Sequence, residues 1–182
     1  SRWRLTTLNE DHNRWIVFEI ALNHVWVPLI RCKLNQVISI EYNNLKLSNH
    51  IDVQVTHSFT PFYPTGNSLN YENINANNTK LKPTRYKKYD YSTFDYRVTS
   101  FVDFAKLFLP IYIVKFTAFD ETWDASAVLN LLERIPIFPA AVQNAANVAR
   151  DGRNVWDHCN FADWNDASFT RDLVIWNILW KS

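Results

Sequence analysis

The run Arg153-Asn154-Val155-Trp156-Asp157-His158 gathers a guanidinium, a carboxamide and an imidazole in a short stretch of chain. Histidine ordinarily titrates near neutrality, so His158 is the natural proton carrier of the set. Arg153 offers a rigid fork of donors that can grip two oxygens of one phosphate or carboxylate. The same residues also have a purely structural arrangement. Arg153 lies one helical turn before Asp157 and can pair with it, while His158 can sit at a helix C-terminus, where the dipole favours a cation. Helix geometry constrains either use. Arg153 and His158 stand roughly 140° apart around a regular helix, whereas Asn154 and His158 share a face. One straight helix therefore does not bring its own arginine and histidine to one phosphate; a second copy of the chain, or a helix end near His158, is needed.

A second set lies upstream. Lys80, Lys82, Arg85, Lys87 and Lys88 run without an intervening acid and alternate with Tyr86, Tyr89 and Tyr91. Lysines can neutralise phosphates while tyrosines stack on bases, which is how single strands are often held. A solvated loop has the same composition. Elsewhere the chemistry is sparse. His12, His24, His50 and His57 show no ligand spacing, and Cys32 and Cys159 fit neither a zinc nor a redox motif. They read as reduced thiols, the pattern of a cytoplasmic protein. Only two glycines occur, Gly66 and Gly152, which excludes a glycine-rich phosphate loop. A net charge of +1 provides no global field toward nucleic acid or an anionic membrane, so any attraction must be local. No metal and no cofactor is expected.

These residues need a scaffold, and the patterning supplies helices. In a chain of 182 residues with 47% hydrophobic side chains there is ample material for a core. From about Glu10 to Asn43, Trp15, Phe18, Leu22, Val25, Trp26, Leu29 and Ile30 recur at spacings of three and four, the signature of one buried face. Pro28 predicts a kink or two abutting helices there. The helical period disappears from about Leu47 to Val98. Ile51, Val53 and Val55 alternate as in a short extended piece, and Asn67 to Asn78 reads as a polar surface loop. Phe94, Tyr96 and Val98 alternate again, which predicts an irregular excursion with a small hairpin. Helices then return. Ser100 caps Phe101 to Leu109 before Pro110, and Asp124 caps Ala125 to Arg134. Pro139 opens a helix to His158, and Asp166 caps a last one carrying Phe169, Leu173, Trp176, Ile178 and Leu179. Ala141, Ala145, Ala149 and Gly152 would admit a close neighbour. No apolar run reads as a membrane span or a signal peptide. The chain opens on Ser1 and contains no Met, as a piece cut from a longer polypeptide would.

The stretch Ala146 to Trp164 resembles the signature helix of the HEPN superfamily, in which an Arg, a polar residue and a later His follow one another. It is most similar to the animal branch found in a DAZ-interacting zinc-finger ubiquitin ligase and in receptor-like defence proteins. There an aromatic residue and an Asn-Phe-x-x-Trp turn accompany the motif, as Trp156 and Asn160 to Trp164 do here. Asp124 to Leu132, the following Pro136-x-Phe138-Pro139 and the early Trp-rich helix extend the likeness, which is absent from the excursion. Gly152 departs from the pattern, since a bulkier residue usually precedes the Arg.

The resemblance implies an all-α, HEPN-like helical bundle over residues 1–182, with an irregular, partly extended excursion around 48–98. It implies a metal-independent endoribonuclease acting as a homodimer, with the motifs of two protomers facing each other. Arg153 would then clamp the phosphate, His158 would move the proton, and Asn154 would orient either group. Lys82, Arg85, Lys87, Lys88 and Arg150 are the candidate RNA-binding cations. The alternative is a noncatalytic RNA-binding or dimerising scaffold in a defence or signalling protein, partnered by other domains of the same parent chain.

Overall fold

A computed structural model of the chain describes residues 10–56, 69–85, 88–158 and 166–181, although the side chains of Val155, Trp156, Trp180 and Lys181 lie outside the description. The architecture is all-α. In chain order the helices are α1 (Glu10–Ala21), a π-helical turn (Leu22–Trp26), α2 (Val27–Asn49), α3 (Phe101–Lys106), α4 (Ala125–Arg134), α5 (Ala140–Asp157) and α6 (Asp166–Lys181). Among the described residues the only β pairing is a single antiparallel bridge, Leu81 to Tyr89.

Pro28 shapes the first of these elements without breaking it. A proline inside a helix lacks a donor, and its ring crowds the carbonyl four residues earlier, here that of His24. The chain answers with the π turn directly upstream, in which the Val27 N–H reaches back to Leu22 O. The expected kink is therefore a widened turn within one helical run. Phe18, Leu22, Trp26, Ile30, Leu34, Ile38 and Tyr42 are all buried, each four residues after the last. A spacing of four overshoots the 3.6-residue α turn, so such a stripe drifts around the helix; the wider π turn takes part of that drift back. Val25 and Leu29, expected on the buried face, are instead 46% and 37% exposed. The run Glu10–Asn49 is also long and apolar enough to cross a membrane by length and composition, contrary to the sequence expectation, although this stripe is committed to the core.

The caps follow the sequence. Ser100 accepts from the Asp103 N–H at the start of α3, and Asp124 accepts from the Ala127 N–H at the start of α4. Helix α3 stops at Lys106, earlier than expected, and a turn carries the chain to Pro110. Helix α4 is buried almost throughout, at Ala125 and from Ala127 to Leu132. Helix α5 packs on α4 and on α6, which also touches α1 and α2. At that crossing Trp26 stacks on Trp176, with ring centroids 5.5 Å apart. Of the apolar residues that α6 carries, Trp176 and Leu179 are buried while Ile178 is 45% exposed.

The excursion overturns two expectations. Ile51 to Val53 form a turn rather than an extended piece, with Ile51 fully buried while Val53 and Val55 are exposed. The asparagine-rich stretch is also more than a surface loop. Asn70 and Asn73 donate to the Leu109 carbonyl at 2.8 and 2.7 Å, and Asn73 donates to Lys106 O as well. These contacts satisfy carbonyls left over at the end of α3. Asn75 donates to Asp95 O and Arg97 O. Asn77 is fully buried, donates to Tyr71 O and Asp95 O, and accepts from the Asp95 N–H. Asn77-Asn78-Thr79 has the form of an N-glycosylation acceptor, and burial of Asn77 closes it in the folded chain.

Candidate functional site

Helix α5 lies between α4 and α6 and carries the run from Arg153 to Asp157, with Trp176 of α6 fully buried. Arg153 is 22% exposed along its side chain, and its Nη1 lies 3.4 Å from Asp157 Oδ2. The ion pair foreseen as the structural alternative is thus formed. Asn154 and His158 are both exposed. The His158 N–H donates to Asn154 O at 3.3 Å, which extends the helical pattern one residue past Asp157 and keeps both residues on one face. Residues 159–165, including the expected Asn160 to Trp164 turn, lie outside the described residues, as does the Trp156 side chain.

Arg150 is not a free phosphate ligand. Its Nη1 forms a tight ion pair with Glu133 of α4, and its Nη2 donates to Asn147 Oδ1 at 2.6 Å. The pair with Glu133 ties α5 to α4. Of the small residues on α5, Ala141 is exposed, but the others are occupied within the chain. Ala149 and Gly152 are buried, Ala145 packs against the core, and the open side of Gly152 is filled by Asp172 of α6. A dimer in which two α5 helices approach through this stripe does not fit.

Asp172 escaped the sequence reading. The residue is fully buried; its Oδ1 accepts from Arg171 Nε at 2.8 Å, while its Oδ2 has no hydrogen-bond partner among the described residues. Burial pushes its carboxyl above the usual range, and the Arg171 hydrogen bond offsets this only in part. One signal was available: Asp172 is in phase with Trp176 and Leu179, the residues that bury α6. Gly152 is its complement on α5, which accounts for the missing bulk before Arg153.

The basic excursion gathers more than its sequence promised. Around the Leu81–Tyr89 bridge, the Lys82 N–H donates to Lys88 O at 2.8 Å and the Asp90 N–H to Lys80 O at 2.9 Å, so the stretch is a short hairpin. Lys82, Lys88, Tyr89 and Tyr91 line a depression of about 360 Å³ at its surface. Arg85 is exposed toward the tip, and Lys87 lies outside the described residues.

The chain matches no protein-family model, no curated protein and no solved structure. Among the described residues no three His, Cys, Asp or Glu side chains gather as a metal site would require.

Proposed function

We propose that this chain is an RNA-directed module of the HEPN type, with Arg153, Asn154 and His158 forming half of a metal-independent endoribonuclease site. The observation that carries the reading is the placement of His158 and Asn154, both exposed on one face at the C-terminal end of α5. In the proposed reaction the ribose 2′-hydroxyl attacks the adjacent phosphorus and the bond to the 5′-oxygen of the next nucleotide breaks. His158 takes the proton from the 2′-hydroxyl or returns one to the departing oxygen. Arg153, turned from Asp157 toward the phosphate, balances the charge that builds on the non-bridging oxygens. The products are a 2′,3′-cyclic phosphate and a 5′-hydroxyl.

The Arg153–Asp157 pair favours a second reading, a noncatalytic RNA-binding or dimerising module, because it engages the guanidinium on its own helix. Incubation with mixed RNA in EDTA separates the two, with 5′-hydroxyl ends as the readout. On the enzyme reading His158→Ala lowers cleavage by about a hundredfold or more and leaves binding nearly unchanged, while Arg153→Ala weakens both. RNA left uncut by the wild-type chain yet still bound supports the scaffold; His158→Ala protein cutting at the wild-type rate rules His158 out.

A further inference from the structure

We infer that the hairpin depression formed by Lys82, Lys88, Tyr89 and Tyr91 is a subsite for one nucleotide of single-stranded RNA. The charge on its rim is the first reason. Lys82 and Lys88 stand directly opposite each other across the hairpin, an arrangement in which like charges repel. Both are exposed, and neither has an acidic partner among the described residues. Asp90, the nearest acid in sequence, faces Lys80 across the ladder and is engaged by the Ser92 hydroxyl at 2.6 Å. The repulsion is relieved by an anion bridging both ammonium groups, as a phosphodiester does.

The aromatic wall is the second reason. Tyr91 is 59% exposed, yet its ring packs against neighbouring aromatics. Its ring lies 5.0 Å from that of buried Phe94, which also packs against Tyr89 at 5.9 Å and Tyr96 at 6.1 Å. The Tyr96 hydroxyl donates to the Tyr91 carbonyl at 3.0 Å and fixes the backbone beneath it. A rigid, exposed ring beside paired cations suits a flat base joined to a phosphate. The volume of about 360 Å³ is at the small end of ligand pockets, enough for one unstacked base.

The identity of the polymer rests on the RNA reading proposed for α5, but the subsite is distinct from α5 and is tested by binding alone. The probe is fluorescein-labelled oligouridylate of about eight nucleotides, within the usual site size for such proteins, titrated by anisotropy into His158→Ala protein so that no cleavage intervenes. Lys82→Ala with Lys88→Ala is expected to reduce the slope of log affinity against log salt by about 0.7, the worth of one phosphate contact on a single strand. Tyr91→Leu is expected to weaken binding about tenfold with the slope unchanged, as loss of one stacked base does. Double-stranded RNA of the same length should bind more weakly than the single strand. All three substitutions are at exposed positions, and unchanged urea melts confirm folding. Variants that bind RNA like their His158→Ala parent, while the wild-type chain cuts RNA, overturn the subsite and spare the α5 reading; hairpin-dependent binding without any cleavage by wild type does the reverse. Displacement by inorganic polyphosphate with no effect of Tyr91→Leu, or preference for phosphatidylserine vesicles over RNA, overturns the nucleotide assignment.

Discussion

Asp172 and Gly152 form the most exacting contact next to the proposed site. A Cβ built on Gly152 would lie 2.2 Å from Asp172 Oδ2 and 2.8 Å from its Cγ. In an exposed helix, replacing glycine with alanine gains about 1 kcal/mol. Here the added methyl meets a short, fully buried side chain with little room to turn, and overpacking of that kind costs about 1–3 kcal/mol. Gly152→Ala should therefore lower stability in urea denaturation despite its better helix propensity. In the Asp172→Ala background, where the obstructing carboxylate is gone, the same change should become neutral or favourable. A Gly152→Ala protein at least as stable as the parent would show that α5 and α6 do not meet as described. Because Gly152 immediately precedes Arg153, the contact also fixes where that guanidinium starts.

At the scale of elements, the asparagines hold the excursion as a hydrophobic strip holds a helix. Asn77 alone makes three hydrogen bonds to the backbones of Tyr71 and Asp95, away from water. Asn77→Ala strands those groups, at about 1–3 kcal/mol for each one left buried and unpaired. The expected outcome is a loss of about 3 kcal/mol or more, with amide exchange accelerating around 70–98 while α4 and α5 stay protected. Equal acceleration along the whole chain would mean that the excursion does not open as a separate unit. The helices around it were legible because their signals are local: Asp124 and Ser100 announce caps, and Pro110 and Pro139 mark boundaries within a few residues. The asparagine network was not. An amide is polar whether it faces water or a buried carbonyl, and its partners at Leu109 and Asp95 lie 36 and 18 residues from the asparagines they meet. The small residues of α5 misled for a related reason. Spacing shows that something approaches Ala149 and Gly152, but not whether the neighbour is a second chain or, as here, α6.

Across the whole molecule the buried side chains of all six helices and of the excursion join in one continuous core, which leaves function to the surface. With a net charge of +1, binding has to come from patches, and the two candidates lie on different elements, the hairpin and the end of α5. The α5 site is geometrically incomplete in one copy, since Arg153 and His158 are roughly 140° apart around the helix axis and Arg153 turns to Asp157. A site completed by a second protomer must form through a surface other than the occupied small-residue stripe, most simply about a two-fold axis. Subunit mixing tests this composition directly. Arg153→Ala and His158→Ala proteins, each impaired alone, should regain cleavage when mixed in equal amounts. Random exchange makes half of the dimers hybrid, and each hybrid keeps one of its two composite sites, so about a quarter of the wild-type rate is expected for a two-fold dimer. No recovery under conditions where sedimentation shows that the subunits have exchanged would mean that the arginine and histidine act from the same chain, and that a bend at the end of α5, not a partner, brings them together.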